Sequence, residues 1–119
     1  MTQPNPVSCS VEERRTDEIS VLAVSGTVDM LTAPKLEEAI RAAAKSSPAG
    51  IVVDLGAVEF LASAGMGVLV AAKQDLGEAV RFAVVADGPA TSRPLKLVGI
   101  DEVVDLYPTL DEALTALTT

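Results

Sequence analysis

Near its start the chain alternates apolar and polar residues. Val7, Cys9 and Val11 are interleaved with polar side chains, the period-two pattern of a half-exposed strand. The polar run RRTDE predicts a turn. ISVLAVSG then alternates again, with Ile19, Val21 and Ala23 toward one face and Leu22 and Val24 toward the other. Two such runs with a short polar link predict a β-hairpin. Beyond residue 32 the period lengthens: Leu36, Ala39, Ile40 and Ala43 recur at i, i+3, i+4 and i+7, one face of a helix. Thr32 is its predicted N-cap, Pro34 falls in the first turn where no amide donor is needed, and SSPAG ends it.

GIVVDL is a continuous apolar run, the mark of a strand buried on both faces of a parallel sheet, and residues 56–60 extend it. A helix follows from about Ser63 to Leu76. VRFAVVA predicts another strand. TSRPLKLVG predicts a short helix capped by Thr91 or Ser92 and stopped by Gly99, and EVVDLY a last strand. Thr109 and Glu112 make a capping-box pattern ahead of a stripe of Leu110, Ala113, Leu114 and Leu117. The predicted order is β-β-α-β-α-β-α-β-α. This is an α/β fold: an N-terminal hairpin, then alternating strands and helices on a mostly parallel mixed sheet of about five strands and four helices, with right-handed crossovers.

The 119 residues suit one domain, here residues 7–119 after a short flexible arm, 1–6. MTQPNPVS has neither the basic start nor the apolar block of a secretory signal, and no apolar run nears the roughly 20 residues of a membrane span. A cytoplasmic protein with no membrane contact is expected. The net charge of −8 argues against direct nucleic-acid binding. Histidine is absent, which removes Ser-His-Asp and Cys-His catalysis and zinc sites built on imidazole. Cys9 is the one cysteine, so it has no internal disulfide partner and reads as a small apolar strand residue. No catalytic residue, cofactor or metal is expected.

Attention then falls on LASAGMGV, the junction between the long apolar strand and the next helix. In open parallel sheets function gathers beyond the carboxyl ends of the strands. Ser63 stands there, the only side-chain hydroxyl between Ser47 and Thr91. Leu61 occupies the position where a nucleophile elbow needs glycine, and GMG lacks the lysine and spacing of a phosphate-binding loop. Two roles remain: Ser63 caps the helix, with Gly65 and Gly67 letting helix and strand approach, or Ser63 takes a phosphate. A helix N-terminus accepts an anion, so a modification adding roughly −1.5 to −2 of charge would alter a binding face without unfolding the domain. A receiver-type switch using Asp54 as acceptor fails, because VSGTVD offers one acidic residue for magnesium and DLYPTL offers no lysine.

The stretch VVDLGAVEFLASAGMGVLVAAKQ resembles the signature of the STAS domain in anti-sigma factor antagonists: a buried strand ending in Asp-Leu, an apolar-x-Phe step, then Asp-Ser-Ser-Gly-Leu-Gly opening a helix. VSGTVDMLTAPKLEEAI is similar to that family's upstream Gly-x-hydrophobic-Asp segment. The resemblance covers nearly the whole chain. It implies partner switching: the unmodified protein binds an anti-sigma factor that is itself a serine kinase, a sigma factor is released, phosphorylation of the serine breaks the complex and a phosphatase resets it. By position that serine is Ser63, and Asp29 matches a family position near the kinase-bound face. The implied binding surface is Asp29, Met30, Leu31 and Thr32 of the first loop with Ala62, Ser63, Ala64, Gly65, Met66 and Gly67 of the helix start, on a monomer or weak dimer. Met66, Met30 and Leu31 are its candidate apolar contacts. Two positions depart from the signature: Ala62 replaces the Asp before the serine, and Ala64 replaces the second Ser. The loss of that carboxylate leaves a second reading, a STAS scaffold that binds regulatory partners without being phosphorylated.

Overall fold

Strands β1 (Cys9–Thr16), β2 (Ile19–Val28), β3 (Gly50–Leu61), β4 (Arg81–Val85) and β5 (Asp105–Tyr107) form one sheet in the order in which they are synthesised. A computed structural model of the chain describes residues 9–118; Val7 and the arm expected at residues 1–6 lie outside them. β1 pairs antiparallel with β2, and the other neighbours are parallel. The hairpin is tighter than RRTDE predicts. Arg14, Arg15 and Thr16 stay in the strand, paired with Val21, Ser20 and Ile19, and only Asp17 and Glu18 turn. Asp17 takes a φ of +56°, which a short carboxylate side chain tolerates better than most.

Helices α1 (Ala33–Ala44), α2 (Ser63–Leu76) and α3 (Ser92–Leu97) are crossovers between successive parallel strands. Right-handed crossovers between strands added in one direction all fall on one face. The larger core lies there, joining Leu36 and Ile40 of α1, Leu69 of α2 and Leu95 of α3 to Leu22, Val24, Ile51, Val53, Phe82 and Val84 of the sheet. Helix α4 (Leu110–Thr118) follows the last strand and covers the opposite face, where Ala113 and Leu117 meet Ile19, Val21, Val52, Ala83 and Val85. The apolar run of β3 is thereby explained: it is buried from both sides over its first half.

Three terminal details differ from expectation. The final strand is only Asp105–Tyr107, because Glu102 of the predicted EVVDLY belongs to a single 3-10 turn (Ile100–Glu102) behind Gly99, whose φ is +81°, and Val103 and Val104 lead out of that turn. Neither Thr91 nor Ser92 caps α3. The Ser92 hydroxyl instead closes the preceding loop, accepting the Gly88 N–H and donating to the Gly88 carbonyl, both at 3.1 Å. At α4 the Glu112 N–H donates to Thr109 Oγ1 at 3.2 Å as predicted, but the reciprocal contact joins the Thr109 hydroxyl to the Glu112 carboxylate.

Candidate functional site

The alternation of β3 breaks twice. Ile51, Val53 and Leu55 enter the larger core at spacing two, then Val58 and Leu61 come at spacing three. Against β2, which keeps its rhythm, Asp54 and Ala57 pair with Ala23 and Ser25, and Val58 and Phe60 with Gly26 and Thr27. Each step inserts one extra residue on β3, a bulge that re-aims the side chains beyond it. Phe60, which the apolar run places in a buried extension, is consequently turned out and 55 % exposed. The spacing of Leu55, Val58 and Leu61 was the legible signal, since an unbroken strand cannot bury every third residue on one face.

The ends of β2 and β3 stay in register, with Val28 beside Leu61 and the Ala62 N–H donating to the Val28 carbonyl at 2.8 Å. The first loop and the start of α2 are therefore adjacent. In the loop, Asp29 Oδ1 accepts the N–H groups of Leu31 (3.0 Å) and Thr32 (3.1 Å). The Thr32 hydroxyl donates to the Thr27 carbonyl at 2.7 Å and accepts the Asp29 N–H at 2.9 Å. Thr32 holds the N-cap position of α1 but makes no side-chain cap; its hydroxyl is directed backward into the loop. The Thr32 N–H above all, with the Thr32 hydroxyl and the Leu31 N–H, holds the Asp29 carboxyl below the ordinary carboxylate range. This turn throws Met30 and Leu31 into solvent, 77 % and 85 % exposed.

Helix α2 begins differently. Ala62 is in the N-cap position, extended at φ −86° and ψ 169°, and has no side chain to cap with. Ser63 is the first helical residue and not the cap. It is exposed, and among the described residues its hydroxyl has no hydrogen-bond partner. The Gly65 and Met66 N–H groups reach the Ala62 carbonyl, leaving those of Ser63 and Ala64 without a described acceptor. No acidic residue stands in the first turn to offset the positive end of the helix dipole. The two glycines have separate explanations. A Cβ on Gly65 would lie 2.6 Å from Val28 Cγ1 and 2.8 Å from Leu61 Cδ1, so close approach to the strand ends requires glycine there. A Cβ on Gly67 would meet nothing within 4 Å. Met66 is half-buried and packs partly against the larger core, as does Ala64.

Beside the end of β3, the β4–α3 loop and helix α3 contribute a groove. Phe60 and Leu61 form one wall, Pro89, Arg93, Pro94 and Leu97 the other, and Leu97 is 76 % exposed. Sequence reasoning placed none of these at the site. Farther off, burial pushes the Cys9 thiol upward against a smaller pull from the Lys35 ammonium, and Lys35 Nζ donates to the Cys9 carbonyl at 2.8 Å. Among the described residues, no helix is long and apolar enough to cross a membrane, and no cluster of acidic, cysteine or histidine side chains could hold a metal.

The profile of the STAS domain matches residues 10–113 of this chain. The chain belongs to the STAS domain family. Within it, the anti-sigma-F factor antagonist RsfB of Mycobacterium tuberculosis is 39 % identical over 117 residues, covering 98 % of this chain and 94 % of that protein. The anti-sigma-B factor antagonist of Listeria monocytogenes is 29 % identical over 104 residues, 84 % of this chain and 88 % of that one. Among solved structures, an anti-sigma factor antagonist from Mycobacterium paratuberculosis superposes with a TM-score of 0.92 at 49 % identity, covering 98 % of this chain and all of that one. The STAS sheet, with its hairpin, crossovers and final helix, is thus the scaffold that brings the Asp29 loop and Ser63 together.

Proposed function

We propose that this STAS domain is an anti-sigma factor antagonist whose unphosphorylated form binds an anti-sigma factor, itself a serine kinase, and so releases a sigma factor. Binding uses the strand-end edge, with Met30 and Leu31 on one side of Ser63 and Phe60 and Leu97 on the other. Phosphorylation of Ser63 ends the complex, and a phosphatase restores it. The reading rests on one observation above the rest: Ser63 is exposed, its hydroxyl is free of any described hydrogen bond, and it opens a 14-residue helix lacking a side-chain cap. A phosphate there would add roughly −1.5 to −2 of charge to an apolar contact surface while meeting unpaired N–H groups and the positive helix end. The fold would persist as the docking surface changes sign.

Incubation with ATP and a cognate kinase, with mass spectrometry as the readout, tests the site: one phosphate on Ser63 and none on the Ser63→Ala variant is expected. Phosphate elsewhere overturns the assignment. Ser63→Glu is expected to weaken the complex, and unchanged binding to every anti-sigma partner tried would overturn the charge switch. Ala62 favours a second reading, a scaffold that binds the same partners unmodified, since the carboxylate preceding the family's serine is missing. A stable complex whose STAS subunit keeps its unmodified mass in the presence of ATP and active kinase would establish it.

A further inference from the structure

Helices α1 and α2 cross over successive strand pairs and lie side by side on one face of the sheet. Small residues face the gap between them, Ala44 of α1 and Ala71 and Ala72 of α2. The result is a half-open cleft of about 160 Å³ with Ile40, Val68 and Leu76 as its larger walls. An apolar cavity of about 150 Å³ accommodates benzene.

The mouth of the cleft carries charge. Glu37 is paired with Arg41 at 3.7 Å, one turn along α1. Asp75 of α2 also lines the cleft, and among the described residues no cation lies within ion-pair distance of it. The unpaired charge is therefore a carboxylate above an apolar floor. We propose that this cleft is a binding site for a small organic monocation, its ring or short alkyl body between Ile40, Val68 and Leu76 and its ammonium at Asp75. The site lies on α2 away from the Ser63 end and does not depend on the function proposed for that end.

The test is methyl NMR on the intact chain with three probes of one shape: benzylammonium, benzyl alcohol and benzoate. Saturable shifts confined to the Ile40, Val68 and Leu76 methyls are expected with benzylammonium. Its affinity should exceed that of the neutral alcohol by roughly fivefold, the effect of one ion contact of about 4 Å in water. Asp75→Asn should erase that preference. Ala71→Leu, at an exposed helical position, should fill the cleft and abolish binding of both probes without lowering the melting temperature. Absence of saturable local shifts at millimolar benzylammonium overturns the proposal. So does benzoate binding as well as the cation, persistence of the cation preference in Asp75→Asn, or undiminished binding in Ala71→Leu.

Discussion

Two helices start side by side at the strand ends, and they are built in opposite ways. The approach to α1 is held by side chains: Asp29 and Thr32 exchange hydrogen bonds with each other, with Leu31 and with Thr27. The approach to α2 has none. Ala62 occupies its cap position, and the start is fixed by packing, with Gly65 pressed against Val28 and Leu61. The contrast separates two ways of fixing a helix start. Polar side chains bonded to the backbone set the shape that presents Met30 and Leu31. At α2 the polar group is left unbonded: among the described residues the exposed Ser63 hydroxyl has no partner.

The largest test of this contrast is Gly65→Ala. Its Cβ would force Val28 and Leu61 aside, and a loss of about 2 kcal/mol is expected from overpacking. The same change at Gly67 meets open space and should stabilise by about 0.5–1 kcal/mol through helix propensity. Urea unfolding of both variants checks the pair, and equal effects would refute packing as the anchor of α2. Thr32→Val comes next. It removes a donor to the Thr27 carbonyl and an acceptor for the Asp29 N–H, and about 1–2 kcal/mol should be lost. Thermal melting reads it, and NMR should show the change confined to the first loop. Ala62→Asp runs the other way. It supplies the missing cap and should add about 1 kcal/mol, visible as a higher urea midpoint; no gain would mean that the α2 start already has its donors satisfied.

The smallest effect is in pH. Because the folded Asp29 carboxyl titrates below its unfolded value, its contribution is fully present above the ordinary aspartate pKa of about 3.9 and is lost as pH falls through the folded value. Asp29→Asn should therefore flatten part of the acid slope of stability below about pH 4, measured by urea midpoints between neutral and acid pH. An unchanged slope would show that the carboxylate's charge contributes nothing to the turn.

Much of this was legible in the chain itself. The helical period of Leu36, Ile40 and Ala43 and the unbroken GIVVDL run located α1 and β3, and the apolar stretch after Ser63 located α2 to the residue. That the Asp29 loop and Ser63 belong together was implied only by the resemblance to the STAS signature; the structure sets them side by side through the pairing of β2 with β3. What escaped was set by tertiary register. Phe60 faces outward only because β3 carries two extra residues against β2. Hydroxyls at helix starts were misread for a related reason. Thr32 and Ser92 found closer backbone partners behind them, and Ser63 lies one residue past the cap position. The groove lined by Leu97 needed the β4–α3 loop to fold beside β3, a proximity with no local mark in the sequence.

The outer strands carry a last consequence. A sheet's unpaired backbone invites another chain to add a strand, the usual beginning of aggregation. Here the free side of β1 is flanked by a run of four charged residues, Glu12 to Arg15, mostly in solvent, and β5 at the other margin is only three residues long. Both margins resist ribbon-like growth, one through charge and the other through brevity. On the function proposed above, association is steered away from the sides of the sheet and toward its ends, where contacts are made by side chains and can be undone by changing one of them.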